Sequence, residues 1–131
     1  MQEFIVSTGS RSELVDITSE VRQAVDDSGV VDGICLVFVP HTTAAVTINE
    51  GADPAVKLDM IAGLDKAIPW NNGYSHAEGN SAAHIKTSLV GSSETIIIEG
   101  GRLVLGTWQT IYFCEFDGPR TRKVLVKVTA D

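Results

Sequence analysis

The chain has 131 residues, 44% apolar and 21% charged. That composition suits one globular domain burying roughly two-thirds of its unfolded surface, and it is too short for a (β/α)₈ barrel of about 250 residues. The longest strongly apolar run, Ile34 to Val39, falls far below the ~18 residues of a membrane span. The start, Met1-Gln2-Glu3-Phe4, carries no basic stretch followed by an apolar core, so no export signal is read there. Ten basic against 17 acidic residues leave a net charge of −7, which on average repels phosphate backbones. The expectation is a cytoplasmic protein with neither a membrane nor a nucleic acid as partner.

Phe4 and Val6 alternate with polar neighbours and predict a strand over residues 2–8. Thr18 then offers a helix N-cap, with Val21, Ala24 and Val25 at helical spacing and Ser28-Gly29 as the stop. Ile34 to Val39 reads as a strand buried on both faces and ended by Pro40. A further strand is predicted from Thr43 to Asn49. Asp53-Pro54 starts a helix whose apolar stripe is Val56, Met60, Leu64 and Ile68, stopped by Pro69. Residues 69–80 form a loop long enough to have a function, and a short helix follows from Ser81 to Val90, with Gly91 as its stop. Two strands flank Gly100-Gly101 as a hairpin, and a third runs from Gln109 to Phe116. In the last strand Val124, Val126 and Val128 share one face while Lys123 and Lys127 share the other. The expected order is β-α-β-β-α-α-β-β-β-β in one domain. This is a β-rich α+β fold, a mixed or antiparallel sheet curled into a sandwich or half-barrel with two to three short helices. Cys35 and Cys114 lie in apolar segments and read as reduced core thiols.

Three histidines carry most of the possible chemistry. His41 leaves the rigid end of a strand, His76 sits in the long loop, and His84 lies in the short helix after it. Three imidazoles can hold a zinc-like cation with one position open. Scattered structural histidines and metal-free acid–base groups are the other two readings. Asn49-Glu50-Gly51 ends a strand at a glycine, a place that presents polar side chains, and Glu50 is a candidate base. The segment Gly79 to Lys86 combines small residues, a helix N-terminus and a lysine, as anion sites do. Gly106-Thr107-Trp108-Gln109 is either a turn with a core aromatic or a wall for a flat ring, with Gln109 offering a hydrogen bond. The basic residues Arg120, Arg122, Lys123 and Lys127 are either a solvated strand face or contacts to an anionic substrate.

Five segments carry a family resemblance. They are Pro40-His41-Thr42-Thr43; Thr47-Ile48-Asn49-Glu50 with Ala52-Asp53-Pro54; His76-Ala77-Glu78-Gly79-Asn80 with Ala83-His84-Ile85-Lys86; Leu105-Gly106-Thr107-Trp108-Gln109; and Glu115-Phe116-Asp117-Gly118-Pro119-Arg120. Together they span nearly the whole chain and resemble the small YjbQ-like proteins, the secondary thiamine-phosphate synthases. The resemblance implies a β-rich homotrimer with His41, His76 and His84 pointing into one pocket. It implies thiamine-phosphate synthesis, in which a pyrimidine diphosphate and a thiazole phosphate join with release of pyrophosphate. On that reading the three histidines hold a divalent ion (zinc or magnesium), and Lys86 and Arg120 help neutralise the leaving group of a small phosphorylated metabolite. Trp108 is then the pyrimidine platform, Asn49 and Gln109 are further substrate contacts, and Glu50 and His41 are the catalytic pair. The alternatives are a non-catalytic metal- or metabolite-binding trimer and a metal-dependent hydrolase with another substrate.

Overall fold

Strand alternation sets the layers of this molecule, which a computed structural model describes over all 131 residues. The elements are β1 (Gln2–Ser7), β2 (Glu13–Asp16), α1 (Thr18–Ser28), β3 (Gly33–Phe38), β4 (Ala44–Glu50) and α2 (Pro54–Ala67). They continue with α3 (Ser81–Val90), β5 (Ser93–Glu99), β6 (Arg102–Leu103), β7 (Gln109–Glu115) and β8 (Thr121–Ala130). All strand pairings are antiparallel. A five-stranded sheet runs β1-β8-β3-β5-β6, and a three-stranded sheet runs β2-β7-β4. The fold is α+β and β-rich, as expected.

Between the sheets lies the main core. Cys35, Val37, Val124 and Val126 from the larger sheet meet Ala44, Val46, Ile111 and Phe113 from the smaller one, and Val21 and Val25 of α1 close one end. The other face of the smaller sheet, with Ala45, Tyr112 and Cys114, packs under Ala83 of α3 and Met60, Ile61 and Leu64 of α2. The molecule is therefore layered as sheet, sheet, helices. No helix is long and apolar enough to cross a membrane. Both cysteines are free and buried, and burial pushes their thiols up to about 11 for Cys35 and about 12 for Cys114, which leaves them unreactive.

Several expectations need correcting. β3 is buried on one face only: Cys35 and Val37 point inward while Ile34, Leu36 and Phe38 are exposed. A continuous apolar run does not distinguish a doubly buried strand from one with an apolar outer face. β2 was not predicted, because four residues with acidic ends show too little alternation; its pairing with β7 makes it a strand. Thr18 does not cap α1. Its hydroxyl instead accepts the Ile111 amide at 3.0 Å, while Asp16 accepts from the Thr18 amide at 2.9 Å. Asp53, by contrast, does cap α2, accepting from the Ala55 amide at 2.9 Å. The stripe of α2 is only partly covered, and none of its residues is fully buried. Gly33 is required by close packing, since a Cβ there would stand 2.0 Å from the Thr129 carbonyl oxygen.

Candidate functional site

The inward row of β7 reads Ile111, Phe113, Glu115, so a carboxylate occupies a core position with no solvent exposure. Its partner is in phase on β8, where Arg122 precedes Val124 and Val126 on the same inward face. Arg122 donates from Nε to Glu115 Oε1 at 2.9 Å and from Nη2 to Oε2 at 2.5 Å. The Thr8 hydroxyl donates to Oε1 at 2.8 Å and the Asp117 amide to Oε2 at 3.0 Å. Arg122 also donates to Thr43 Oγ1 at 2.8 Å. Burial alone would raise the Glu115 carboxyl, but the hydrogen bonds from Arg122, the Asp117 amide and Thr8 outweigh it and hold the group below the usual carboxylate range. This satisfied pair anchors the turn before β4.

Above it opens a cleft of ≈ 530 Å³ with no hydrophobic residue in its lining. The β3–β4 connection contributes His41, Thr42 and Thr43; the long loop and the start of α3 contribute His76, Glu78, Asn80 and His84; Asp117 and Arg120 close the far side. A second lobe of ≈ 380 Å³ shares His41, Thr42 and His84 and continues past Thr87 and Ser88. The two lobes make one polar trough along the Asn80-His84-Thr87-Ser88 face of α3, the spacing that puts side chains on one side of a helix.

His76 and His84 meet edge to face, with ring centroids 5.5 Å apart, and His76 Nε2 lies 3.8 Å from Glu78 Oε1. His41 is held differently. Its Nε2 accepts the Lys123 amide at 2.9 Å, which puts the ring proton of the neutral form on Nδ1. Burial, followed by the positive charge of Arg122, lowers its pKa below the ordinary 6.5, so the neutral form is favoured. Asn80 is 6% exposed. Its amide nitrogen donates to Asp117 at 2.8 Å and to Glu78 at 3.4 Å, which fixes the amide's orientation. Its Oδ1 is left without a partner, as is Thr87 Oγ1. Unpaired buried acceptors carry a free-energy cost, and two of them flank His84 in one trough. Arg120 is half-exposed and shares its guanidinium with Asp117, donating from Nε to the carbonyl at 2.8 Å and from Nη2 to the carboxylate at 3.0 Å.

The structure does not bring the other expected site residues here. The Ala44–Glu115 pair stands at the trough end of the β4–β7 ladder, while Glu50 pairs with Gln109 at the other end. Six residue steps separate the two ends, about 20 Å at strand rise. Glu50 is therefore no base for His41 within one chain. Asn49 accepts the Glu50 amide at 2.7 Å, Gln109 accepts the Gly106 amide at 2.7 Å, and Trp108 is 64% exposed beside them. Lys86 leaves α3 on another side, is 2% exposed, and pairs with Asp65. The basic cluster splits: Arg122 is buried, Arg120 lines the trough, and Lys123 and Lys127 lie on the outer face of β8. Sequence reasoning overlooked Glu115 as a site residue. The available signal was a lone carboxylate in phase with Ile111 and Phe113, matched by an arginine in phase with Val124 and Val126.

The donor set does not fit the expected three-histidine metal. No group of three or more His, Cys, Asp or Glu side chains converges as a metal-holding set. The Nε2 lone pair of His41 is already engaged by Lys123, leaving His76 and His84 as the close imidazoles.

The sequence pattern of the UPF0047 protein YjbQ-like family matches residues 2–131. The chain belongs to this family. It is 55% identical over 129 residues to a UPF0047 protein of Methanocaldococcus jannaschii, covering 98% of this chain and 94% of that one. It is 52% identical to the UPF0047 protein YugU of Bacillus subtilis, covering 94% of each. A crystal structure of an uncharacterized YjbQ/UPF0047 family protein from Clostridium acetobutylicum has a TM-score of 0.97 at 57% identity, covering 98% of this chain and 100% of that one. A YbjQ-like protein of unknown function from Sulfolobus solfataricus has a TM-score of 0.96 at 35% identity, covering 99% and 96%. These names carry no thiamine-phosphate synthase activity. The expected machinery for that reaction is also dispersed, with Trp108 at the opposite end of the ladder and Lys86 away from the trough. The expectation of a thiamine-phosphate synthase with a three-histidine metal pocket is overturned.

Proposed function

We propose that the trough is a proton-transfer site for a small, uncharged, hydroxylated carbonyl compound. The His76–His84 pair beside a neutral His41 carries this reading. His41 offers only the donor Nδ1–H, suited to hydrogen-bonding a carbonyl oxygen, while the imidazole pair removes and returns a proton at the neighbouring carbon. The step is an enolisation and its reversal, so no atom is gained or lost overall. Charge balance selects the ligand. Arg120 and Arg122 face Glu78 and Asp117, with Glu115 beneath, so two cations stand against three carboxylates. That balance disfavours the phosphorylated metabolite expected from the sequence. The lining of the larger lobe contains no hydrophobic residue, which suits a hydroxylated ligand.

Incubation in D₂O with dihydroxyacetone and longer uncharged hydroxyketones tests this, with deuterium incorporation read by mass spectrometry. Wild-type protein is expected to accelerate exchange next to the carbonyl, and His84→Ala and His76→Ala to slow it by about 10²-fold or more. Absence of acceleration, or equal acceleration by both variants, overturns the reading.

The outer face of the larger sheet supports self-association. Ile5, Ile34, Leu36, Phe38 and Ile97 are exposed there, and Glu3 and Lys123 put both signs of charge on the same face. Such a surface is complementary to a second copy of itself. Sedimentation is expected to show an oligomer that Phe38→Glu dissociates; a monomeric wild-type chain would refute it.

A further inference from the structure

We propose that the cleft between α2 and the Trp70 loop is a second binding site, for a small aromatic monocarboxylate that takes the place of Asp65 on Lys86. Lys86 is 2% exposed, yet its ammonium is paired with a carboxylate that is 53% exposed. An ammonium has three donors, and Asp65 is the acceptor that meets this one. The Phe116 ring centroid lies 5.9 Å from the same nitrogen. Asp65 stands in the lining of a cleft of ≈ 460 Å³ with Arg11, Ser12, Ile61 and Trp70. The Arg11 guanidinium stacks 4.2 Å from the centroid of Trp70.

Charge and shape point to one ligand class. Arg11 and Asp65 are the charged residues of the cleft lining, and the buried Lys86 ammonium stands behind Asp65 and is paired with it. A solvent-facing carboxylate on a buried ammonium is a partner that another carboxylate can replace without changing the bond type. A ring attached to that carboxylate would lie against Ile61 and the Arg11–Trp70 stack. Asp65 then acts as an internal competitor, and its occupancy of Lys86 weakens the apparent affinity for the incoming ligand.

Benzoate is the probe, with Trp70 fluorescence read on the full chain in a Trp108→Phe background. Saturable quenching is expected with benzoate and not with benzamide, which has the ring without the charge. Asp65→Ala removes the competitor and is expected to bind benzoate about tenfold more tightly. It should also gain more thermal stability from benzoate than wild type does, because the added carboxylate restores the partner of a buried cation. Lys86→Met, which replaces the ammonium with an apolar chain of similar length, is expected to abolish binding. Equal or weaker binding by Asp65→Ala, or unchanged binding by Lys86→Met, overturns the proposal. None of these residues lies in the histidine trough, so the proton-transfer reading stands or falls separately.

Discussion

β4 and β7 run side by side and end in two unlike places. At one end Glu115 is buried, every hydrogen bond to it is made inside the protein, and the connection carrying His41 rests on its partner Arg122. At the other end the side chains of Asn49 and Gln109 accept nearby backbone amides and Trp108 is exposed, with the half-buried Glu50 beside them. Both ends are rich in polar residues, so composition does not separate them. The difference is support: one set of side chains rests on a buried ion pair, the other on a turn.

The strongest way to break this comparison is to remove one partner of the ion pair. Arg122→Met or Glu115→Gln leaves a buried polar group uncompensated and is expected to cost about 3–5 kcal/mol. Glu50→Gln at the far end is expected to stay within about 0.5 kcal/mol. Urea denaturation of the three variants checks this, and a comparable loss in Glu50→Gln would erase the distinction. The far end has a demand of its own, but a steric one. A Cβ on Gly51 would stand 1.8 Å from Thr110 Oγ1 and 2.7 Å from Thr110 Cβ. Gly51→Ala is expected to cost about 1–3 kcal/mol, with Thr110→Ala recovering part of it. Just beyond, Asp53→Ala removes the α2 cap and is expected to cost about 1 kcal/mol.

The same contrast explains what could be read in advance. Local signals were legible: Asp53-Pro54 at the start of α2, the Ser81–Val90 span of α3, and the two faces of β8. Each depends on residues within one element. The trough was half legible, because His41, His76, His84 and Arg120 do line it. Glu50 was misplaced because it follows His41 closely in sequence, and a fully extended β4 carries it away. Glu115 is remote from His41 in sequence but returns beside it through the antiparallel register of β7 with β4. Proximity along the chain points to Glu50, whereas the strand register brings Glu115 to the trough end. Lys86 lies outside the trough for a related reason: it follows His84 by two positions on a helix, which turns it to another side.

Acid pH offers the finest test, since both shifted groups at the trough end act in one direction. Glu115 is held below its ordinary range in the folded chain. Its contribution to stability is therefore present above the unfolded carboxyl value of 4.5 and is lost as pH falls through the lower folded value. His41 is also lowered, from 6.5, so the folded state favours the neutral ring. Its contribution is present above 6.5 and is lost as pH falls below that through the folded value. Unfolding free energy should thus decline in two stages on acidification, one from His41 and one at lower pH from Glu115. His41→Gln should remove the first stage alone and Glu115→Gln the second. If Glu50→Gln changed the acid profile as much as Glu115→Gln does, the two ends of the ladder would not differ in the way their burial requires.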